Sequence, residues 1–216
     1  MTTEAPAGSR DRILRAAVEV FAERGKHGAR MEEIGERAKV NKAMVYYYFS
    51  SKKNLFGEVL VTIVREVFGA IHEALDKKLE RPSDPVEVLR AFVSAHFDAI
   101  ARNPRYAKIL MEAVADDPDG PRRAFEVIRQ ESAVFLPERL FAVFEEGIRQ
   151  GALRRMDPAQ TLISIIGLNL VYFVAAPIAE TVLNLRVEDG RSFQLARKKS
   201  ILDLLLHGVL KEGKKP

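Results

Sequence analysis

The chain has 216 residues, 34 Lys and Arg against 30 Asp and Glu, and no cysteine. That length buries about 70% of the unfolded surface, enough for a core without staples; the 47% hydrophobic content excludes global disorder, and the missing thiols exclude disulfides, thiolate catalysis and cysteine-ligated zinc. The net charge of +4 is local: residues 1–57 carry 11 basic and 7 acidic side chains, and the remainder is balanced at 23 of each. A local basic field suits a polyanion-binding surface, and a solvated charge run would look the same. Met1 to Arg10 is polar, so no secretory leader is expected and the cytoplasm is the expected compartment.

Period-2 runs are nearly absent and helical periodicity runs end to end, which predicts an all-α chain. Ser9 is expected to cap a first helix with Ile13, Leu14, Ala17, Val20 and Phe21 on one face and Gly25 as its stop. A short helix through Met31, Ile34 and Ala38 follows, then another capped by Asn41 and running from Val45 to Phe49. Ser50-Ser51 breaks the pattern before a long helix from Lys52 to Leu79, whose broad apolar stripe calls for two packing partners. Arg81 to Pro85 reads as a turn with Asp84 capping the next helix and Pro85 in its first position. Asn103-Pro104 opens a helix from Tyr106 to Ala115, and Asp116 to Pro121 is a loop. The periodicity then predicts one helix from Pro121 to about Gln150, another opened by Asp157-Pro158, a polar gap at Arg186–Arg191, a last helix from Ser192 to Leu210 and a fraying tail, Lys211–Pro216. Thr161 to Ala179 holds 19 uncharged residues, close to a membrane span. Ser164, Gly167, Asn169 and Pro177 interrupt it and no basic cluster flanks one end, so a core or subunit-interface helix is expected and no membrane partner.

Helix, tight turn and capped helix from Met31 to Phe49 make a helix-turn-helix pattern. Its second helix carries Lys42, Ala43, Met44, Tyr46, Tyr47 and Tyr48, and three adjacent tyrosines at ~100° spacing cannot all be buried. Lysines and phenols there suit phosphates, and Ala43 and Met44 suit thymine methyls. The same side chains would also serve as ordinary solvated surface.

With Ile13-Leu14, Ala17, Phe21, Gly25, Ile34, Ala38, Val40, Lys42, Tyr46 to Phe49, Ser51-Lys52 and Leu55-Phe56 at these spacings, the stretch from Ser9 to about Glu58 resembles the DNA-binding domain of the TetR family of bacterial transcriptional repressors. The pattern departs where Ala29-Arg30 replaces a capping Ser or Thr, Lys39 a turn glycine, and Ala43-Met44 a Gly and a Thr. The resemblance implies a DNA-binding set of Arg30, Lys42, Ala43, Met44, Tyr46, Tyr47, Tyr48 and Lys52 on a palindromic double-stranded operator. It implies three parts: residues 1–8 as a flexible start, 9–51 as a three-helix DNA-binding domain, and 52–211 as a larger helical ligand-binding and dimerisation domain. Polar residues on the apolar faces of that region, His96, Tyr106, Asn169 and Tyr172, are candidates for orienting a small lipophilic effector in a cavity, among rings such as Phe92, Phe97, Phe125, Phe135 and Phe173. A homodimer is expected through Ile165, Leu168, Leu204, Leu205 and Val209.

The four histidines lie far apart and no nucleophile elbow or phosphate loop appears, so no catalytic residues, metal ligands or cofactor are expected. A helical lipid carrier or enzyme with an incidental basic N-terminal region is the competing reading.

Overall fold

A computed structural model describes residues 8–79, 84–131, 136–182, 184 and 190–209. Among them are ten helices, α1 (Ser9–Gly28), α2 (Met31–Arg37), α3 (Lys42–Phe49), α4 (Lys52–Leu79), α5 (Pro85–Arg102), α6 (Arg105–Asp116), α7 (Asp119–Glu131), α8 (Leu136–Arg149), α9 (Pro158–Val182) and α10 (Gly190–Val209). The chain forms two compact units that are not consecutive in sequence: residues 1–65 with 105–131, and residues 66–104 with 132–216.

In the first unit, α1 to α3 and the start of α4 bury Ile13, Ala17, Val20, Phe21, Ile34, Val45, Leu55 and Val59. Phe21 meets Phe56 edge-on, with ring centroids 4.9 Å apart. Gly8, with φ 84, precedes α1, and Ser9 is its first residue; the buried Ser9 Oγ accepts from Arg12 Nη2 at 3.0 Å rather than capping the helix. The break expected at Gly25 is present as a kink: Gly25 has φ 70, and the chain takes one more turn to Gly28. Glu112 on α6 closes over that kink, its Oε1 accepting from Lys26 N at 2.7 Å. A Cβ at Gly25 would stand 2.7 Å from the same oxygen, so position 25 needs glycine for both its φ and its neighbour. Lys108 Nζ donates to Ala22 O, a carbonyl near the end of α1, and Lys26 Nζ pairs with Asp116. Through these contacts α6 holds the C-terminal end of α1.

In the second unit α5 packs against α8, α9 and α10, burying Phe92, Val93, Phe97, Ile100, Leu140, Phe144, Ile165 and Ile201. Asp84 Oδ1 accepts from Val86 N at 2.9 Å, with Pro85 in the first turn of α5. Asp157 Oδ1 likewise accepts from Ala159 N and Gln160 N at 2.8 and 3.1 Å. Both caps satisfy amides that helix geometry leaves without partners.

Of the helix expected from Pro121 to Gln150, the described residues form α7 and α8, one in each unit, and 132–135 between them lie outside the described residues. Phe125, expected among the core rings, is exposed on α7, while Phe135 lies outside the described residues. So do most of the turn expected at Arg81–Pro85, residues 186–189 of the gap expected at Arg186–Arg191 (Gly190 and Arg191 already belong to α10), the expected flexible start up to residue 7, and the expected tail Lys211–Pro216.

Candidate nucleic-acid interface

The recognition surface begins with an 8-residue helix that cannot stand alone. Two features fix α3: Asn41 Oδ1 accepts from Met44 N at 2.8 Å, a cap worth about 1 kcal/mol, and Val45 and Phe49 are buried, each contributing about 1.5–3 kcal/mol. The turn before it is tight. Val40 N donates to Gly35 O at 2.9 Å, and Lys39 takes φ 56, as its place in the turn predicts. A Cβ on Gly35 would lie 3.1 Å from Val40 O and 3.3 Å from Val45 Cγ2, so the glycine lets α2 and α3 approach. Arg37 clamps α2 to α1, its two terminal nitrogens donating to Glu23 at 2.8 and 2.9 Å. That fork holds the Glu23 carboxyl below the usual range and raises the guanidinium pKa.

With Val45 and Phe49 turned inward, the opposite arc of α3 presents Lys42, Ala43, Tyr46 and Tyr47, all exposed. Tyr47 is 74% exposed and Tyr46 42%. Met44 and Tyr48 flank the arc, half-buried, and Tyr48 rests edge-on against Tyr47 with centroids 5.3 Å apart. Arg30, exposed, occupies the position before α2 without a side-chain cap, as expected from the missing hydroxyl. Seven of the eight DNA-contact candidates thus belong to α3 or to the residue that opens α2.

Lys52, the eighth, is differently engaged. Its Nζ donates to His27 O at 2.9 Å and Ala29 O at 3.1 Å, tying the start of α4 to the strand of chain between α1 and α2. Two of three ammonium donors are used inside the protein. No sequence pattern signals this role, because it depends on carbonyls freed by the Gly25 kink.

Glu32, in the first turn of α2, was not singled out by the sequence. It pairs with Lys42, and that bond is the main reason the Lys42 pKa is raised and the Glu32 pKa lowered. Both side chains are about half exposed, and Lys42 Nζ also lies 5.7 Å from the centre of the Tyr46 ring.

Of the effector candidates, Tyr106 is buried in the first unit, and His96, Asn169 and Tyr172 belong to the second. Asn169 Nδ2 donates to Val93 O at 3.2 Å and to His96 Nδ1 at 2.9 Å. His96 therefore carries its proton on Nε2, and burial pushes its pKa down to about 4, so the ring is neutral near pH 7. Asn169 Oδ1 is buried with no hydrogen-bond partner. Tyr172 stacks against Phe97 and Phe193, with centroids 5.7 and 5.9 Å away. No group of three His, Asp or Glu able to hold a metal exists among the described residues.

Of the dimer candidates, Ile165 and Leu205 are buried within the chain, Leu168 is half-buried and Leu204 is exposed; the side chain of Val209 lies outside the described residues. The helical register explains Ile165: at ~100° per residue it falls on the side of α9 that also buries Leu162 and Asn169. A different apolar stripe of α9 faces solvent: Ile163, Val171, Val174, Ile178 and Val182, with Ile178 and Val182 at 66% and 72% exposure. By length and composition α9 could also cross a membrane, although Ser164, Gly167 and Asn169 interrupt the qualifying segment, Pro158–Ala176.

Residues 13–59 match the family model described as bacterial regulatory proteins, tetR family, and residues 85–205 match that of the tetracyclin repressor-like C-terminal domain. The HTH-type transcriptional repressor NicS of Pseudomonas putida is 37% identical over 102 residues, 47% of this chain and 46% of NicS. The HTH-type transcriptional activator FasR of Mycolicibacterium smegmatis is 38% identical over 103 residues, 48% of this chain and 45% of FasR. The matched segment thus spans less than half the length of either relative. The fatty acid metabolism regulator protein of Bacillus subtilis is 25% identical over 199 residues, covering 91% and 93% of the two chains. Among solved structures, the TetR family regulator PfmR from Thermus thermophilus shares the fold at a TM-score of 0.69 and 21% identity, over 91% of this chain and 98% of that one. With both family models matched in order, and the second alone covering more than half of the sequence, the chain belongs to the TetR family of DNA-binding transcriptional regulators, a family that is not enzymatic.

Proposed function

We propose that the chain is a cytoplasmic, ligand-released repressor that binds a palindromic operator as a homodimer. The exposed arc of Lys42, Ala43, Tyr46 and Tyr47 on a capped, firmly seated α3 carries this reading. In the major groove, Tyr47 and Lys42 hold phosphates, while Ala43 and Met44, which cannot hydrogen-bond a base, lie against thymine methyls. Tyr46, Tyr48, Arg30 and the third donor of Lys52 extend the phosphate contacts. Residues 9–51 form the DNA-binding segment, and the chain from residue 52 to 211 serves dimerisation and effector binding.

The solvent-facing stripe of α9 supports the dimer. Ile163, Val171, Val174, Ile178 and Val182 share one exposed face of α9, an apolar stripe of the kind that marks a partner site, and Leu204 of α10 is exposed too. A two-fold axis makes such a contact self-complementary and sets two recognition helices ~34 Å apart for a palindrome.

His96, Asn169 and Tyr172 favour a neutral, mostly apolar effector. A histidine kept uncharged attracts no carboxylate, and the unpartnered Asn169 Oδ1 asks for a hydroxyl or amide donor. The name of one similar protein, a fatty acid metabolism regulator, supports a lipophilic effector. Repression rests on NicS, against the activator FasR.

Capture and sequencing of genomic fragments bound by the protein tests this reading. The expected result is a recurrent palindrome with half-sites one helical turn apart. Fragments without any shared motif would overturn it.

A further inference from the structure

A cavity of about 420 Å³ opens in the first unit between α3, α4 and α7, a volume within the ~300–1,000 Å³ of small-molecule sites. None of His96, Tyr106, Asn169 or Tyr172 lines it. Its apolar wall consists of Phe56, Leu60 and Val61 from α4 with Ala124 and Val127 from α7, and the C-terminal end of α3, Tyr48 to Ser50, closes one side.

Gly57 gives the cavity its depth. It stands inside α4, where glycine is the poorest helix former after proline. No positive φ requires glycine there, and an added Cβ would meet no atom within 4 Å. Gly57 lines the cavity, so the missing side chain leaves room for a guest instead of for a neighbour.

The rim is cationic. Arg10, Lys26, Lys53 and Arg123 line the cavity against only Glu58 and Asp117. Each of those carboxylates is already matched, Glu58 by Arg10 and Asp117 by Arg123 at 3.1 Å. Lys26 pairs with Asp116 beside the cavity. Lys53 is exposed, and among the described residues no hydrogen bond or ion pair engages it. An apolar wall with one uncommitted cation suits a guest with an apolar body and a single negative group.

We propose that this cleft binds a small amphipathic organic anion, its apolar body against Gly57, Leu60 and Val127 and its charge toward Lys53, and that the guest, touching the end of α3, alters DNA affinity. The second half rests on the DNA-binding reading; the first does not.

The probe is 4-benzoylbenzoate, irradiated with the full-length protein, the adducts being mapped by mass spectrometry. Saturable adducts on cleft residues are expected. Gly57→Leu lowers cleft labelling about tenfold while its melting temperature rises by roughly 2–4 °C, so the loss is not unfolding. Lys53→Gln weakens labelling by 4-benzoylbenzoate and leaves labelling by neutral benzophenone unchanged. Cleft labelling that Gly57→Leu leaves intact, or that neutral benzophenone matches in the wild type, overturns the site. The saturated wild type should also bind a captured genomic duplex with changed affinity, and Gly57→Leu should not respond to the probe. An unchanged duplex affinity at saturation overturns the coupling. Labelling needs no DNA, so failure of the DNA-binding reading remains distinguishable from failure of the site.

Discussion

Lys42 does two jobs at one position. In the free protein it holds Glu32, and in the proposed DNA complex it would hold a phosphate. The carboxylate competes for the same ammonium and adds a negative charge to the DNA-facing surface, so Glu32→Gln is expected to raise duplex affinity by about three- to tenfold at low salt, with the gain shrinking as salt screens it. Fluorescence anisotropy of a labelled duplex measures this; a loss of affinity would show that Glu32 organises Lys42 instead of competing with it. His96 makes a prediction of the opposite kind, about stability. Its pKa of about 4 in the folded chain lies below the ordinary 6.5, so the unfolded state takes up a proton first as pH falls. The neutral ring's contribution is complete above pH 6.5 and is lost on descending to pH 4, amounting to about 3 kcal/mol. The lowered carboxyls of Glu23, Asp116 and Glu131 act in the same direction but only below their ordinary range near 4.5 and 3.8. Denaturant melts from pH 7 to 5 should therefore lose stability in the wild type and hold nearly level in His96→Gln. Neither Glu32 nor the state of His96 was legible in the sequence, since one depends on which rotamer Lys42 takes and the other on how completely α5 and α9 enclose the ring.

At the scale of elements, caps and punctuation were readable because they are local. Asn41, Asp84 and Asp157 each accept the amides that their position before a helix predicts, and Ser51 Oγ accepts from Asn54 N at 3.1 Å. What was not readable depends on which group each side chain meets once the chain folds. Ser9 looks like a cap but is a buried first residue, because Gly8 makes the turn and Arg12 takes the hydroxyl. Lys52 looks like a phosphate ligand by motif, yet it first fastens α4 to the carbonyls of His27 and Ala29. Lys52→Ala should consequently cost about 1–2 kcal/mol and lower the melting temperature by roughly 3–6 °C, besides weakening DNA binding. Calorimetry checks the first effect; an unchanged melting temperature would return Lys52 to a purely external role.

For the molecule as a whole, the all-α class and the N-terminal DNA-binding domain followed from periodicity and motif, whereas the solvent-facing apolar stripe of α9 did not. Sequence hydrophobicity picked α9 correctly as an element with apolar residues to spare, but it named Ile165, which the chain keeps for itself. Only the fold separates the inner stripe from the outer one. Ile178→Glu with Val171→Glu should convert a dimer of twice the 24.2 kDa chain mass into a folded monomer at micromolar concentration, and reduce duplex affinity by at least about tenfold through loss of the second half-site. Sedimentation velocity reads the first result; an unaltered dimer would place the interface elsewhere. The central claim, that the outer arc of α3 grips DNA, is tested most directly by salt-titrated fluorescence anisotropy on a captured genomic duplex, comparing wild type with the folded double variant Lys42→Ala/Tyr47→Ala. Both residues are exposed, so the fold should not suffer. The double variant should bind more weakly at every salt concentration, with a log–log slope shallower by about one per subunit for the lost lysine; identical affinity and slope in the two proteins would show that this face does not hold DNA.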